Sequence, residues 1–366
     1  MLKYKRLNYN RLKMINKKTP TIRDIAKIAG VTPGTVSRAL NDSPLVNDNT
    51  KNRILDIAAE INYTPNLVAR RLSLGKTFAI GVIVPFFTRP SVSERLDGVV
   101  SILSNSNYDL VIHDIENPHQ RSIGFQNMLQ ERRIDGALII SMPILEKDIQ
   151  FFHESPIPIV FVDRKDPNLS AFNSIIIDDI QGGYQATRHL IDLGHRKIGF
   201  IGDNTELKTK PLNEVDANPF RFTSSRDRYQ GYKKAMQEAN IPIEPSYYGE
   251  DEHGHVQARN LALNMLQLSD RPSAIFAASD TQAFGVIQAA RQLDISIPDE
   301  LSVVGFDDIQ PAEFMQLTTV RQLLFESGKR GVELLIQSIN QDIKEPITIT
   351  LPTEMVIRNT TSHVSN

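Results

Sequence analysis

Apolar positions at helical spacing open the readable part of this chain. Ile22, Ile25, Ala26 and Ala29 fall on one face of a short first helix. Gly30 follows, where positive φ lets the chain turn sharply, with Val31 to plug the corner. Thr32 can cap a second helix and Pro33 fits its first position. Val36, Ala39 and Leu40 then face the first helix, while Thr35, Ser37 and Arg38 point outward. A third helix is predicted after Asn47 or Asp48, with Ile54, Ile57, Ala58 and Ile61 as its buried stripe. Three short helices of this pattern form a helix-turn-helix, or an ordinary surface unit.

From residue 80 onward the pattern changes. Apolar runs at 80–84, 108–113, 136–140, 159–162, 197–201, 273–277 and 301–305 alternate with amphipathic stretches. Such runs predict strands buried on both faces of parallel sheets, with helices packed on either side. They fall into two groups separated near residues 177–182, which predicts two α/β lobes. Between the helical head and this body, Pro65 ends the third helix, Asn66 can cap a new short one and Gly75 ends it. About two turns are too few to hold a helix alone in water, so this segment folds only against a partner, or is a plain linker.

Charge separates the same two regions. Residues 1–76 hold fifteen Lys and Arg against five Asp and Glu, a net of +10, so the remaining 290 carry −12 to reach the overall −2. A cationic head attracts phosphate backbones and an acidic body avoids them, so the helical head is read as a DNA-binding unit. At 366 residues the chain has room for this head and one or two larger domains. It has no cysteine, which excludes disulfides and thiolate metal sites and fits a reducing compartment. No apolar stretch reaches the length of a membrane span and no secretory leader is visible, so a cytoplasmic location is expected. Residues 1–18 are basic and aperiodic: a disordered arm, or an upstream start with Met14 as the initiator.

Several segments together carry a resemblance. TIRDIAKIAGVTPGTVSRALND (21–42), PNLVARRL (65–72) and IGVIVP (80–85) are followed by LGHRKIGFIG (193–202) and RDRYQGY (226–232). ASD (278–280) and IPDELSVVGFDD (297–308) complete the series. The chain resembles the LacI/GalR family of bacterial transcription regulators over residues 19–360, in the family's motif order. The resemblance implies an N-terminal all-α helix-turn-helix headpiece plus an α/β periplasmic-binding-protein-like core of two doubly wound lobes. The expected domains are the headpiece at 19–64, a hinge at 65–76 and an effector-binding and dimerisation core at 77–366. Three crossings would give a first lobe of about 77–177 and 309–348 and a second of about 178–308 and 349–366. A long helix near 325–340 would return to the first lobe, and residues 354–358 would add a strand to the second.

The candidate DNA contacts are Thr21, Thr32, Pro33, Gly34, Thr35, Ser37 and Arg38, with Asn41, Asn47 and Thr50 toward phosphates and Asn66, Ala69 and Leu72 in the hinge. Pro33 and Gly34 have no side-chain donors, so base reading leans on Arg38, the natural partner of guanine. Paired hinge helices would insert Leu72 of each subunit into the minor groove and kink the duplex.

The effector belongs where strand ends of both lobes meet. Phe86 and Phe87 follow the first strand and could stack on a ligand or simply pack. Asp163 and Asp307 close strands, and Arg228 offers a planar fork; their duller roles are helix caps and a salt bridge. By resemblance Asp163, Arg228 and Asp307 match effector-contacting positions, and Ser279 and Asp280 match another cleft motif, although Asp280 could cap a helix instead. Substituting Arg228 or Asp307 by alanine is expected to abolish a ligand response while leaving folding intact.

EDEHGH (250–255) is better read as the start of a polar helix than as a metal site. His195 would fix its loop's backbone. No catalytic motif appears, so the chain is not expected to be an enzyme, and no cofactor or metal is expected. Residues 203–223 form a polar insert, longer than family versions, beside the cleft.

Two functions fit this organisation. One is a ligand-responsive repressor that binds a pseudo-palindromic double-stranded DNA operator as a homodimer, its effector a sugar or, alternatively, a purine or other small metabolite. The other is a solute-binding protein of a transporter, which the headpiece and the lack of an export signal oppose. The polar tail 359–366 has no heptads to build a tetramer.

Overall fold

The computed structural model describes residues 20–64, 75–116, 121–130, 133–203 and 222–364. The basic arm, the hinge with Asn66, Ala69 and Leu72, and nearly all of the polar insert lie outside the described residues. The chain divides into two units, Met1–Lys76 and Thr77–Asn366.

Among its described residues the first unit holds three helices: α1 (Ile22–Ala29), α2 (Pro33–Leu40) and α3 (Asp48–Glu60). Ile25, Ala26, Ala29, Val36, Ala39, Ile54, Ala58 and Ile61 are buried together, with Ile22, Val31, Leu40 and Ile57 packed around them. This is the set that the apolar spacing picks out. Local chemistry sets the helix ends. Asp24 reaches back to the Thr21 amide at 2.8 Å and hydroxyl at 2.7 Å, which stops the chain from continuing outward at α1. Gly30 ends α1 at φ 67°, a conformation that costs glycine nothing. The Thr32 hydroxyl accepts from the Thr35 amide, and the Asn47 side chain from the Thr50 amide, so α2 and α3 begin on side-chain caps.

The second unit contains two six-stranded sheets. The first contains β1 (Ala79–Val84), β2 (Asp109–Asp114), β3 (Gly136–Ile140), β4 (Ile159–Val162), β5 (Asn173–Ile177) and β11 (Thr348–Leu351), in the order β11-β5-β4-β3-β1-β2. The second contains β6 (Ile198–Asp203), β7 (Tyr248–Asp251), β8 (Ala274–Ala277), β9 (Ser302–Asp307), β10 (Thr318–Gln322) and β12 (Thr353–Val356), in the order β12-β10-β9-β8-β6-β7. The two orders match position for position, the mark of two equivalent lobes. Among the described residues only β12 runs antiparallel to its neighbour, β10. β1, β3 and β4 are buried at every residue, as are β8 and β9, which is why they read as apolar runs rather than as alternation.

The chain passes between lobes after β5, after β10 and after β11. This corrects the expected lobe boundaries. Residues 309–322 stay with the second lobe, because β10 pairs in parallel with β9 and antiparallel with β12. The first lobe keeps β11, which pairs with β5, so it ends at residue 351. The short helix Gln310–Phe314 shows no usable periodicity, so nothing in the pattern marks that stretch as belonging to the second lobe. The expected polar helix at 250–255 is likewise corrected: Glu250 and Asp251 lie in edge strand β7, and the next helix starts at His255.

Helices cover both lobes. In the first, α4 (Pro90–Leu103) crosses α12 (Leu324–Ile339); in the second, α7 (Asp179–Asp192) crosses α8 (Thr223–Glu238). The remaining helices are α5 (Arg121–Gln130), α6 (Glu146–His153), α9 (His255–Leu266), α10 (Asp280–Gln292) and α11 (Gln310–Phe314). The polar tail is not loose through residue 364. It returns to the second lobe through Val303 N to Thr360 O at 2.8 Å and Val364 N to Leu193 O at 3.0 Å.

Candidate DNA-binding face and ligand cleft

In the first unit, Thr32, Pro33, Gly34 and Arg38 lie exposed on α2 and its N-terminus, with Thr35 and Ser37 half-buried beside them. The buried side of α2, Val36 and Ala39, fixes which face it presents. A helix whose N-terminal turn and outer face are free in this way can lie in a major groove. Thr32 and Thr35 share a hydroxyl contact at 3.0 Å, and the Asn41 side chain donates to Ser37 O at 2.9 Å. These bonds hold short polar side chains close to the backbone, which leaves Arg38 as the long reach from α2. Thr21 and Asn47 are exposed at the starts of α1 and α3, and Thr50 is half-buried one turn inside α3.

In the second unit, strand carboxyl ends of both lobes converge on a polar cleft. Asp163, Arg228, Ser279 and Asp307, all named from the sequence, line it together with Arg89, Arg95, Ser141, Asp203, Phe222, His253 and Gln322. The backbone is strained where these strands end. Phe86, Ser141, Asp163 and Asp307 all have positive φ, at 55°, 50°, 58° and 123°. Non-glycine residues hold such angles only when the surroundings impose them, and they gather at binding sites.

Arg228 is the best anchored of these groups. Its Nε donates to Asp179 at 2.8 Å, one terminal nitrogen donates to Ala278 O at 2.6 Å, and the guanidinium lies 3.7 Å above the Phe306 ring. Burial works against its charge, yet Asp179, Asp307 and Asp163 outweigh that and raise its pKa above the ordinary arginine value. Asp307 feels burial most, which raises its pKa against the pull of Arg228 and Arg95. Asp203 is also buried, but His253 at 3.0 Å, Arg89 and Arg228 overcome the desolvation and hold its carboxyl below the usual range.

Three predicted ligand residues are placed otherwise. Asp280 does not line the cleft: its carboxylate accepts from Thr319 Oγ1 at 2.5 Å and from the Ile309 amide at 2.9 Å, tying α10 to β10 and to the loop before α11. Phe86 packs against the first lobe's core beneath the Arg89 guanidinium, 4.1 Å from its ring. Phe87 is exposed and its amide is held by Asp114. The aromatic residue that does line the cleft is Phe222. Ser279 is there, but as the cap of α10, accepting from the Gln282 amide. Among the described residues no group of His, Asp and Glu could hold a metal ion.

Arg95, Asp203 and Gln322 escaped the sequence reading, although two of them carry a signal. Arg95 falls on the buried stripe of α4 with Val92, Leu96 and Val99, where a charge is out of place unless partnered. Asp203 closes β6 just as Asp307 closes β9. Gln322 ends β10, a strand the pattern did not reveal.

Together, a helix-turn-helix unit and a two-lobed body with a polar cleft define the class of ligand-regulated DNA-binding proteins. Residues 21–66 match the family of bacterial regulatory proteins, lacI family, and residues 187–361 match the periplasmic binding protein-like domain. The chain is 31% identical over 348 residues to the HTH-type transcriptional repressor PurR of Vibrio vulnificus, covering 94% of this chain and 99% of the relative. It is 31% identical over 352 residues to the repressor of the same name in Haemophilus influenzae, covering 94% and 99%. Among solved structures, the lac repressor dimer bound to operator and the anti-inducer ONPF has a TM-score of 0.79 at 25% identity, covering 94% of this chain and all of that one. The complex of the transcriptional regulator CelR with cellobiose has a TM-score of 0.68 at 25% identity, covering 93% and 99%.

The chain therefore belongs to the lacI family and is a DNA-binding transcriptional repressor. Its relatives and structural neighbours are transcriptional regulators, not enzymes. Among the described residues no helix is long and apolar enough to cross a membrane.

Proposed function

We propose that this repressor binds a pseudo-palindromic operator as a cytoplasmic homodimer and answers to a small neutral metabolite in the cleft, a sugar in preference to a purine. The observation that carries the effector reading is the convergence of Arg228, Asp307 and Asp163 from two lobes on one polar cleft. Carboxylates and guanidinium groups set side by side suit hydroxyls, which both donate and accept. A purine asks for ring faces as well, and among the described residues Phe222 is the one phenylalanine, tyrosine or tryptophan that lines the cleft, with Arg89 5.0 Å from its ring. That ring is what supports the second reading, a nucleobase stacked on one face. Phosphates would be met by the exposed polar residues Thr21, Asn41 and Asn47 and by half-buried Thr50, and bases by Arg38 from α2.

The experiment is a selection from randomised DNA with the full chain, followed by gel-shift titration of the selected site with and without sugars and nucleobases. A palindromic consensus whose affinity changes with one of these ligands is expected. Selection of no consensus would sink the operator reading, and a consensus indifferent to every ligand would sink the effector reading alone.

A further inference from the structure

Arg95 is among the largest fully buried side chains in the molecule, and it lies in the cleft. One terminal nitrogen donates to Gln322 Oε1 at 2.9 Å and approaches Asp163 Oδ2 at 2.9 Å; the other donates to Ser91 O at 3.3 Å. The same Asp163 oxygen accepts from the Ser141 hydroxyl at 2.6 Å. Gln322 in turn donates to Asp307, which faces Arg228. A continuous polar chain thus runs from Ser141 in the first lobe to Arg228 in the second.

Two atoms of that chain are left over. Arg95 Nε, a donor, and Asp163 Oδ1, an acceptor, are buried with no partner in the protein, and their side chains are 1% and 8% exposed. Buried polar atoms of a native protein are almost always satisfied, so an orphaned donor and an orphaned acceptor on two bonded side chains that line a cleft are open to a group bound there.

We propose that Arg95 and Asp163 form a donor–acceptor subsite that reads one group of the ligand able to accept a hydrogen bond and donate one. A hydroxyl accepts from Arg95 Nε and donates to Asp163 Oδ1; an amide of a nucleobase does the same with its C=O and N–H. A phosphate or carboxylate does not fit, because it would meet the Asp163 oxygen with like charge. The inference rests on the cleft being the effector site, and it gives the neutral ligand proposed there a defined point of recognition. It also gives the cleft a contact on α4, the helix whose Glu94 accepts from the Gln310 amide of the second lobe at 2.8 Å.

The test titrates D-glucose, D-ribose, cellobiose, adenine, guanine and glucose 6-phosphate calorimetrically into the full chain and into Arg95→Lys and Asp163→Asn. Lysine keeps the charge beside Asp163 but has no Nε–H; asparagine keeps the shape but sets a neutral amide in place of the carboxylate. One neutral probe should bind, and each substitution should weaken it at least tenfold, the sugar and base arms telling which source supplies the group. Deoxy analogues of a binding sugar, or N-methyl analogues of a binding base, should lose at least tenfold at one position on the unsubstituted chain. That series decides the matter should either variant fail to fold. Neutral binding unchanged in both folded variants overturns the subsite while leaving the effector cleft standing. Tighter binding of glucose 6-phosphate than of glucose overturns it too, and so does binding of none of the probes. Operator binding, followed separately by gel shift, decides the repressor reading whatever these titrations give.

Discussion

At the scale of single residues, the two functional regions work through arginines held in opposite ways. Arg38 is exposed and makes no ion pair among the described residues, so its guanidinium is free to fork onto a guanine edge. Pro33 and Gly34 offer no side-chain hydrogen bonds, which leaves much of the base discrimination with Arg38. Arg38→Ala should cost about 1–3 kcal/mol at the preferred operator and relax the preference at one base pair per half-site. Randomised-site selection with the variant checks this; an unchanged consensus would remove Arg38 from base reading. Arg228 is the contrary case, locked by Asp179, Ala278 O and the Phe306 ring. Removing it would strand the buried Asp179 carboxylate, and breaking such a pair costs about 3–5 kcal/mol. The expectation that Arg228→Ala spares folding is therefore withdrawn, and Asp307→Asn, which keeps the side chain's volume, is the cleaner probe of the cleft.

At the scale of elements, the lobes share a packing device. Gly98 and Gly328 let α4 and α12 touch backbone to backbone: a Cβ on Gly98 would lie 2.0 Å from Phe325 O, and one on Gly328 1.9 Å from Arg95 O. In the second lobe Gly183 and Gly231 do the same for α7 and α8, with Cβ positions 2.1 Å from Arg228 O and 2.1 Å from Ile180 O. Each crossing carries one cleft arginine, Arg95 or Arg228, so helix packing sets the arginine's position. Gly231→Ala must push α8 off α7, because backbone atoms cannot step aside as a side-chain tip can. A loss of about 1–3 kcal/mol is expected, read as a lower urea midpoint at unchanged slope. A midpoint equal to that of the unsubstituted chain would show that the crossing is slack.

The elements also mark what was legible in the sequence. Strands β1, β3, β4, β8 and β9 were plain because both faces are buried and the run is wholly apolar. β7 and β10 were not: YGED is a polar edge strand, and TTVRQ alternates too briefly to separate from loop. Missing β10 moved the lobe boundary and hid Gln322. The helix-turn-helix was readable to its caps, because Gly30, Thr32, Pro33 and Asn47 act on their immediate neighbours. The cleft was readable only where a strand end announced it, as at Asp163 and Asp307. Arg95 joins those residues through contacts 227 positions apart in the chain, which no local pattern records.

At the scale of the whole molecule, burial first sets a pH dependence. His195 is enclosed by Ser273 Oγ at 2.8 Å, Ser302 Oγ at 3.0 Å and Ser362 O at 3.1 Å, so it ties the loop before β6 to the starts of β8 and β9 and to the tail. Burial lowers its pKa below 6.5, Arg196 and His363 add to this, and the bond to Ser362 O opposes it. The unfolded chain therefore takes up a proton before the folded one does. Stability from this site is complete above pH 6.5 and is lost as the pH falls through that value toward the lower folded pKa. The melting temperature should drop between pH 7 and pH 5, and less steeply in His195→Gln, with half-buried His189 keeping part of the slope. Equal slopes in the two proteins would mean that His195 does not titrate on unfolding.

Regulation is the other property of the whole. A ligand changes operator affinity only by binding one arrangement of the lobes better than another, and contacts to both lobes are a direct way to do so. Asp163 and Arg95 offer contacts from the first lobe, Arg228 and Asp307 from the second. A coupling of about 1–3 kcal/mol would change operator affinity roughly 5- to 150-fold. Asp307→Asn leaves the first-lobe contacts in place but weakens the second-lobe grip, so it should cut that response to about twofold or less. Operator affinity without ligand should stay near that of the unsubstituted chain, because the substitution lies outside the helix-turn-helix unit. The measurement is operator affinity with and without saturating ligand, for both proteins, after circular dichroism has established that the variant is folded. A full response in the folded variant would mean that the effector does not grip the second lobe through Asp307, and the cleft would lose its claim to be the regulatory site.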